Sequence, residues 1–247
     1  MKNYHPQMSF DEETAATYDE LAHRGDESAA VAFLTQFAKG GNALELAIGT
    51  GRIALPLAAG GVRVSGIDIS PAMVARLRSK PGGDRLEVVI GNFADVPITG
   101  AFNLIYLVFN TLFNLLSQDE QVRCFENIAS HLTPGGVFVV EGLTPARFYG
   151  LANNQYVEVE TIQTDHVRLD IAQFDPSNQT LTETHVTLSA AGIQLNPIVT
   201  RFAWPSELDL MARIAGLQLK ERWENWERKP FTAESRNCIS VYEHKAG

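Results

Sequence analysis

The stretch "ALELAIGTGRIALPLA", Ala43 to Ala58, decides the fold. An apolar run holding one acid, Glu45, meets two glycines, Gly49 and Gly51, and a second apolar run follows. The first run is short enough for a buried strand and the second reads as a helix, so the glycines form a strand-to-helix turn. Such a turn lets backbone amides approach a ligand closely. A phosphate-cradling Walker loop is excluded, because no Gly-Lys-Ser/Thr follows. Gly49, Gly51 and Ala54 do satisfy the dinucleotide pattern G-x-G-x-x-G/A, which keeps an NAD(P)-dependent oxidoreductase as the alternative. Glu45 weighs against it: a carboxylate near the strand tip repels a pyrophosphate and suits a ligand carrying an ammonium group. No tyrosine has a lysine four residues on, so the Tyr-x-x-x-Lys pair of one dehydrogenase class is missing.

Outward from this turn the same rhythm repeats. Residues 27–39 read as a helix before it, with Ala30, Phe33, Leu34, Phe37 and Ala38 at helical spacing. "VRVSGIDI" is a second strand, ending near Asp68, 19 residues after Gly49. A carboxylate there suits the two hydroxyls of a ribose. Ser70 with Pro71 opens the next helix as cap and first residue. "LEVVIG" and the almost wholly apolar "FNLIYLVF" are further strands. Ser117 and Glu120 read as a capping box for a helix whose face is Val122, Phe125, Ile128, Ala129 and Leu132. "PGG" breaks the chain before a fifth strand, "VFVVEGL". Alternating strands and helices predict a parallel sheet covered on both faces.

After residue 150 the period changes to two. "YVEVETIQ", "VRLDIAQF", "LTETHVTL" and "NPIVTRFA" predict an antiparallel meander, each strand wet on one face. A helix ("PSELDLMARIAG") and two closing strands ("LQLKERW", "CISVYEH") then resume the first rhythm. The expected fold is therefore α/β, a doubly wound seven-stranded sheet with an inserted antiparallel β cap. Its expected division is residues 1–149 and 204–247 for the ligand-binding domain and 150–203 for the cap.

The chain has 247 residues, of which 45% are hydrophobic, and a formal net charge of -9. The acidic balance argues against a nucleic-acid partner. No apolar run is long enough for a membrane helix, and the N-terminus has no signal core. Cys124 and Cys238 suggest neither a disulfide framework nor a metal cluster, and both read as packing residues. The expectation is a soluble, cytoplasmic protein without a metal site.

"LELAIGTGR", "VSGIDIS", "GNFADV", "FNLIYLVFNTLFNL" and "LTPGGVFVVE", in that order, resemble the successive motifs of class I S-adenosylmethionine-dependent methyltransferases. With a β insertion after the fifth strand, the chain is similar to small-molecule enzymes that N-methylate glycine or aminosugars. The resemblance implies that S-adenosyl-L-methionine is the cofactor. It implies that Glu45, Ala47, Gly49 and Gly51 surround its methionine part, that Asp68 holds the ribose, and that Ile69 and Met73 pack near the adenine. Asn92 and Phe93 would flank the adenine, Val108 and Asn110 would lie near the sulfonium, and Tyr18 of "TYDE" would cover the methionine end. Three positions depart from the family: Ala47 replaces the first glycine, and Asn92 and Asn103 replace common aspartates. None is a group that methyl transfer itself requires.

The acceptor side is less determined. His166 and His185, in the cap, are candidate bases, although a lone strand histidine is as readily solvated or packed. Phe113, Tyr149, Trp204 and Trp226 are candidate substrate contacts, although each could equally be core. "FNTLF" stands where an Asn-Pro-Pro-Tyr motif would mark nucleobase or amide methylation, and no metal-ligand cluster suggests metal-assisted chemistry. The expected partner is a small-molecule methyl acceptor, with room for a homodimer.

Overall fold

The structure, a computed structural model, describes residues 4–20, 27–38 and 40–245. Asp11 accepts the Thr14 amide and opens a short helix, α1 (Glu12–Thr17). Helix α2 (Glu27–Ala38) buries Ala30, Phe33, Leu34 and Ala38, the stripe its spacing predicts; the expected last helical residue, 39, lies outside the described residues. Strand β1 (Asn42–Leu46) leads through the glycine turn into α3 (Ala54–Ala59), which starts two residues later than the sequence suggests. Then come β2 (Arg63–Asp68), α4 (Pro71–Arg78), β3 (Glu87–Ile90) and β4 (Phe102–Leu107). The Ser70 hydroxyl accepts the Met73 amide at 3.2 Å, the cap expected of it.

Helix α5 (Gln118–His131) opens at Ser117, whose hydroxyl accepts the Glu120 amide at 3.2 Å. Glu120 returns to the Ser117 hydroxyl, at 3.0 Å, so the box closes through side chains. Strand β5 (Leu132–Leu143) runs straight through "PGG" instead of starting after it. The reason is a bulge: Phe102 pairs with Leu132 but Leu104 with Val137, so β5 absorbs the extra residues, with Gly135 at φ 78°.

The cap follows as β6 (Gln155–Ile162), β7 (His166–Asp175), β8 (Thr180–Ser189) and β9 (Gly192–Arg201), all antiparallel and paired in chain order. Helix α6 (Pro205–Ile214), β10 (Leu217–Trp223) and β11 (Asn237–His244) complete the chain. The main sheet has seven strands in the order β10-β11-β5-β4-β1-β2-β3, with β11 antiparallel to both neighbours. Two apolar clusters cover its faces, one built with α2 and α3 and the other with α5 and α6. The strand order reverses between β1 and β4. A doubly wound sheet opens a crevice at the carboxyl ends of such strands.

In the cap the alternation is present, and the inner face is mixed: Ala172, Phe174 and Leu181 join the apolar core, while polar residues fill the rest of that face. Glu158, Asp170, His185 and Asn196 lie side by side across the four strands on the inner face. The opposite face carries the ladder Val159, Leu169, Val186 and Leu195, and beside it Ile162, Val167, Leu188 and Ile193. Asp170 is 9% exposed, whereas Ile193 is 70% exposed. The polar part of the inner face lines a cavity. Among the described residues, no helix is long and apolar enough to cross a membrane.

Candidate active site

Ala47, Ile48 and Gly49 follow β1 directly, and the chain turns there by entering the left-handed region. Ala47 has φ 56°, Gly49 φ 55° and Gly51 φ 78°. The two glycines serve different ends. A Cβ on Gly49 would meet little, its nearest neighbour being the Met73 methyl at 3.6 Å, so the backbone there stands open to the crevice. A Cβ on Gly51 would lie 2.2 Å from Leu77, so this glycine lets α3 approach α4. Ala47 takes the same left-handed conformation with a side chain, a cost of roughly 1–2 kcal/mol.

Asp68, at the end of β2, accepts the Gly49 amide at 2.7 Å and the Ser70 amide at 2.8 Å. Burial raises its carboxyl, and the amides of Ser70, Gly49 and Ile69 oppose that shift. Glu45 sits beneath the turn, 3% exposed, where it accepts the Tyr106 hydroxyl at 3.0 Å. Burial raises Glu45 to about 8, against the donations from Tyr106 and the Ala54 amide.

A cavity of about 280 Å³ lies over this turn. Of the residues the sequence proposes for the cofactor, Tyr18, Ala47, Gly49, Asp68, Ile69, Met73, Asn92 and Phe93 line it. Glu45, Gly51 and Val108 do not: Glu45 is underneath, Gly51 is in helix packing, and Val108 is in the core. Asn92 accepts the Ala94 amide at 2.9 Å through its side-chain oxygen, so its amide nitrogen is the group left to meet a ligand. The N-terminal segment supplies walls that the sequence reading missed, His5, Gln7 and Phe10. It is held by Gln7 donating to the Ile69 carbonyl (2.8 Å) and by Ser70 donating to that of Phe10 (2.6 Å). Asp19, next to Tyr18, ties it down further by accepting from Thr50 and pairing with Lys80.

A second cavity, of about 320 Å³, lies between the main domain and the inner face of the cap. The two share Phe10, Tyr18, Thr111 and Asn114 as a common wall. Asn110 and Phe113 line the second cavity, and so does His185. Phe109 and Asn110, both left-handed, are clamped onto β5. The Phe109 amide donates to Glu141 at 2.7 Å and Asn110 accepts the Leu143 amide at 2.6 Å. Glu141, another residue missed from sequence, also accepts the Trp226 indole N–H at 3.1 Å. Burial raises its carboxyl.

The other candidates lie outside both cavities. Trp226 packs edge-on against Phe33, and Tyr149 packs against Phe174 and Trp204. His166 sits at the hairpin end beside exposed Asp165. The cap also gathers one ligand atom each from Glu160, Asp170 and His185 within 4.8 Å, a grouping that no sequence motif announces. Arg168 lies against Glu160 at 2.5 Å within it.

The methyltransferase domain family matches residues 43–136, which span β1 to the start of β5. The solved structure of the CcbJ methyltransferase from Streptomyces caelestis superposes with a TM-score of 0.92 and 39% identity, covering 98% of this chain and all of that one. This chain belongs to the class I S-adenosylmethionine-dependent methyltransferases. The methyltransferase is also 28% identical, over 83% of its length and 84% of the relative's, to a cypemycin N-terminal methyltransferase from a Streptomyces species. It is 31% identical over 55% of each chain to a dTDP-3-amino-3,6-dideoxy-alpha-D-glucopyranose N,N-dimethyltransferase from Streptomyces fradiae. The enzyme transfers a methyl group from S-adenosyl-L-methionine to a small molecule. The first cavity fits that donor by chemistry: buried Asp68 offers acceptors for ribose hydroxyls, and the open backbone at Gly49 admits a close approach.

Proposed function

We propose that the methyltransferase alkylates an amine nitrogen of a small metabolite held in the second cavity. The observation that carries this reading is the common wall of Phe10, Tyr18, Thr111 and Asn114, which puts donor and acceptor side by side. Amine methylation by the cypemycin and aminosugar relatives supports the choice of nitrogen. We assign residues 1–149 and 204–247 to donor binding and 150–203 to acceptor selection.

When bound, S-adenosylmethionine supplies an electrophilic methyl already activated by its sulfonium charge. The protein then has to position the acceptor and exclude water. Asp68 fixes the ribose and the Ala47–Gly49 backbone receives the amino-acid end. Phe10 and Tyr18 close the shared wall, and Asn110, held by Leu143, fixes the opposite side. An amine that reaches the wall neutral needs no strong base. His166 has no part in this arrangement, and Trp226 enters it only through Glu141, which holds Phe109.

The outer cap face supports a homodimer. Val159, Ile162, Ile193 and Leu195 are each more than half exposed on one continuous sheet face, which a second copy would cover. Net charge -9 favours a small acceptor over a nucleic acid. The buried, unpaired Cys124 and Cys238 suit the reducing cytoplasm.

The test is mass spectrometry of the enzyme incubated with S-adenosylmethionine and a panel of amines, alcohols and phenols of sugar size. Addition of one methyl to amines alone supports the reading; methylation of oxygen acceptors alone overturns it.

A further inference from the structure

The inner face of the cap holds an electrostatic imbalance. Tyr156 on β6 places its hydroxyl 2.9 Å from Asp170 of β7 and 2.7 Å from Glu183 of β8. A phenol has one hydrogen, so it satisfies one carboxylate and leaves the other contact without a proton. Asp170, 9% exposed, has its second oxygen, Oδ1, buried and without a donor. All three side chains line the second cavity.

The surrounding cations are committed elsewhere. Arg168 pairs with Glu160 and Arg147 reaches Glu158; the His185 ring, whatever its charge, is turned to Glu160 as well. Among the described residues, no ion pair includes Asp170 or Glu183. Burial, and then the facing Asp170 carboxylate, raise Glu183 to about 7. Two adjoining carboxylates in a recess with too few hydrogens call for a ligand bringing positive charge and N–H donors. A divalent ion fits less well, because the third ligand it would use, Glu160, already holds the Arg168 guanidinium.

We propose that Tyr156, Asp170 and Glu183 form an ammonium-binding subsite, which selects acceptors carrying a basic alkyl amine over neutral ones of the same shape. This rests on the reading of the second cavity as the acceptor site. It names the substrate class: a small, partly polar frame with a basic primary or secondary amine, held here as its ammonium ion, which must give one proton to an adjoining carboxylate before its nitrogen can accept the methyl. A protonated amine completes the hydrogen bonds of both carboxylates, with the Tyr156 hydroxyl donating to one of them. Aromatic amines and phenols, uncharged at neutral pH, leave the Asp170 oxygen unpaired and bind poorly.

The test uses cyclohexylamine and cyclohexanol, isosteric and differing in charge, binding to the full-length enzyme loaded with S-adenosylhomocysteine. Saturation-transfer NMR at neutral pH reads both affinities, and calorimetry reads that of S-adenosylhomocysteine. The wild type is expected to prefer the amine by roughly ten-fold or more. In Glu183→Gln and in Asp170→Asn that preference falls toward unity while S-adenosylhomocysteine affinity stays within about two-fold, which also reports an intact fold. Equal binding of the two probes by the wild type overturns the subsite. So does a preference that survives both substitutions, or displacement of the amine by micromolar manganese. Failure of the amine-methylation reading shows separately, as a methylated product on oxygen.

Discussion

Gly49 donates its amide hydrogen to Asp68 across the mouth of the sheet, at 2.7 Å, joining the ends of β1 and β2. The 19-residue spacing between them is thus a physical contact: parallel pairing of Asn42–Leu46 with Arg63–Ile67 brings the two tips together. The arrangement aims the carboxylate into the donor cavity before any ligand arrives. Asp68→Ala is expected to weaken S-adenosylhomocysteine by roughly 100-fold, the worth of two charge-assisted hydrogen bonds. Calorimetric titration measures it, and unchanged affinity would remove Asp68 from ribose binding.

Ala47 occupies a left-handed position with a side chain that glycine would not have. Ala47→Gly relieves roughly 1–2 kcal/mol of steric cost and adds roughly 0.5–1 kcal/mol of unfolded-chain entropy. The expected outcome in urea denaturation is a stability between unchanged and about 1 kcal/mol higher. Ala47→Val puts a branched side chain at the same φ and into the cavity, and is expected to lose at least about 2 kcal/mol along with donor affinity.

Glu45 makes stability depend on pH. Its folded value of about 8 lies above the ordinary carboxyl value of 4.5. The folded state therefore binds more protons than the unfolded chain between those limits, and stability falls as pH rises from about 4.5 to about 8. Below this window Glu45 contributes no penalty; above it the full penalty, roughly 2–5 kcal/mol, is present. Glu45→Gln keeps a hydrogen-bonding group under the turn without the charge. Its melting temperature should exceed that of the wild type at pH 9 and match it near pH 4.5. Parallel pH profiles for the two proteins would dismiss the assignment.

The donor half of the site was legible because its signals are local. Gly49, Ser70 and the apolar strands act through neighbours in sequence, and their order along the chain carries the fold. What escaped was non-local or directional. Glu141 looks like any polar residue in a strand, since its partners Phe109 and Trp226 are 32 and 85 residues away. Phe109 and Asn110 turn left-handed without a glycine to announce it. Alternation in β6–β9 gave the period but not which face meets water, nor that part of the inner face lines a polar cavity. Aromatic character alone did not separate Phe113, which lines the second cavity, from Trp204 and Tyr149, which pack on each other.

The two cap histidines are separated by position. His166 pairs with exposed Asp165 at the hairpin end, away from both cavities. His185 lines the second cavity between Asp170 and Asn196, facing Glu160. His166→Ala is expected to leave kcat and KM for an identified acceptor within about two-fold of wild type, as for a surface substitution. His185→Ala should raise the acceptor KM by roughly five-fold or more, because it removes a wall of the second cavity and the ring that faces Glu160, and so loosens the inner face. Its S-adenosylmethionine KM should not move. An equal effect of both substitutions would mean that the cap acts only as a scaffold.

The outer cap face sets the last expectation. Val159 and Leu195 stand on one ladder, 56% and 64% exposed, with Leu169 and Val186 between them. Burying this ladder against a second copy would remove apolar surface at about 25 cal/mol per Å². A two-fold contact uses the same patch from both subunits, so one charge introduced there is met by its own copy. Leu195→Lys is therefore expected to convert a dimer to a monomer in analytical ultracentrifugation, with S-adenosylhomocysteine affinity unchanged because the donor cavity lies in the main sheet. A wild type that sediments as a monomer at micromolar concentration would leave this face to another partner.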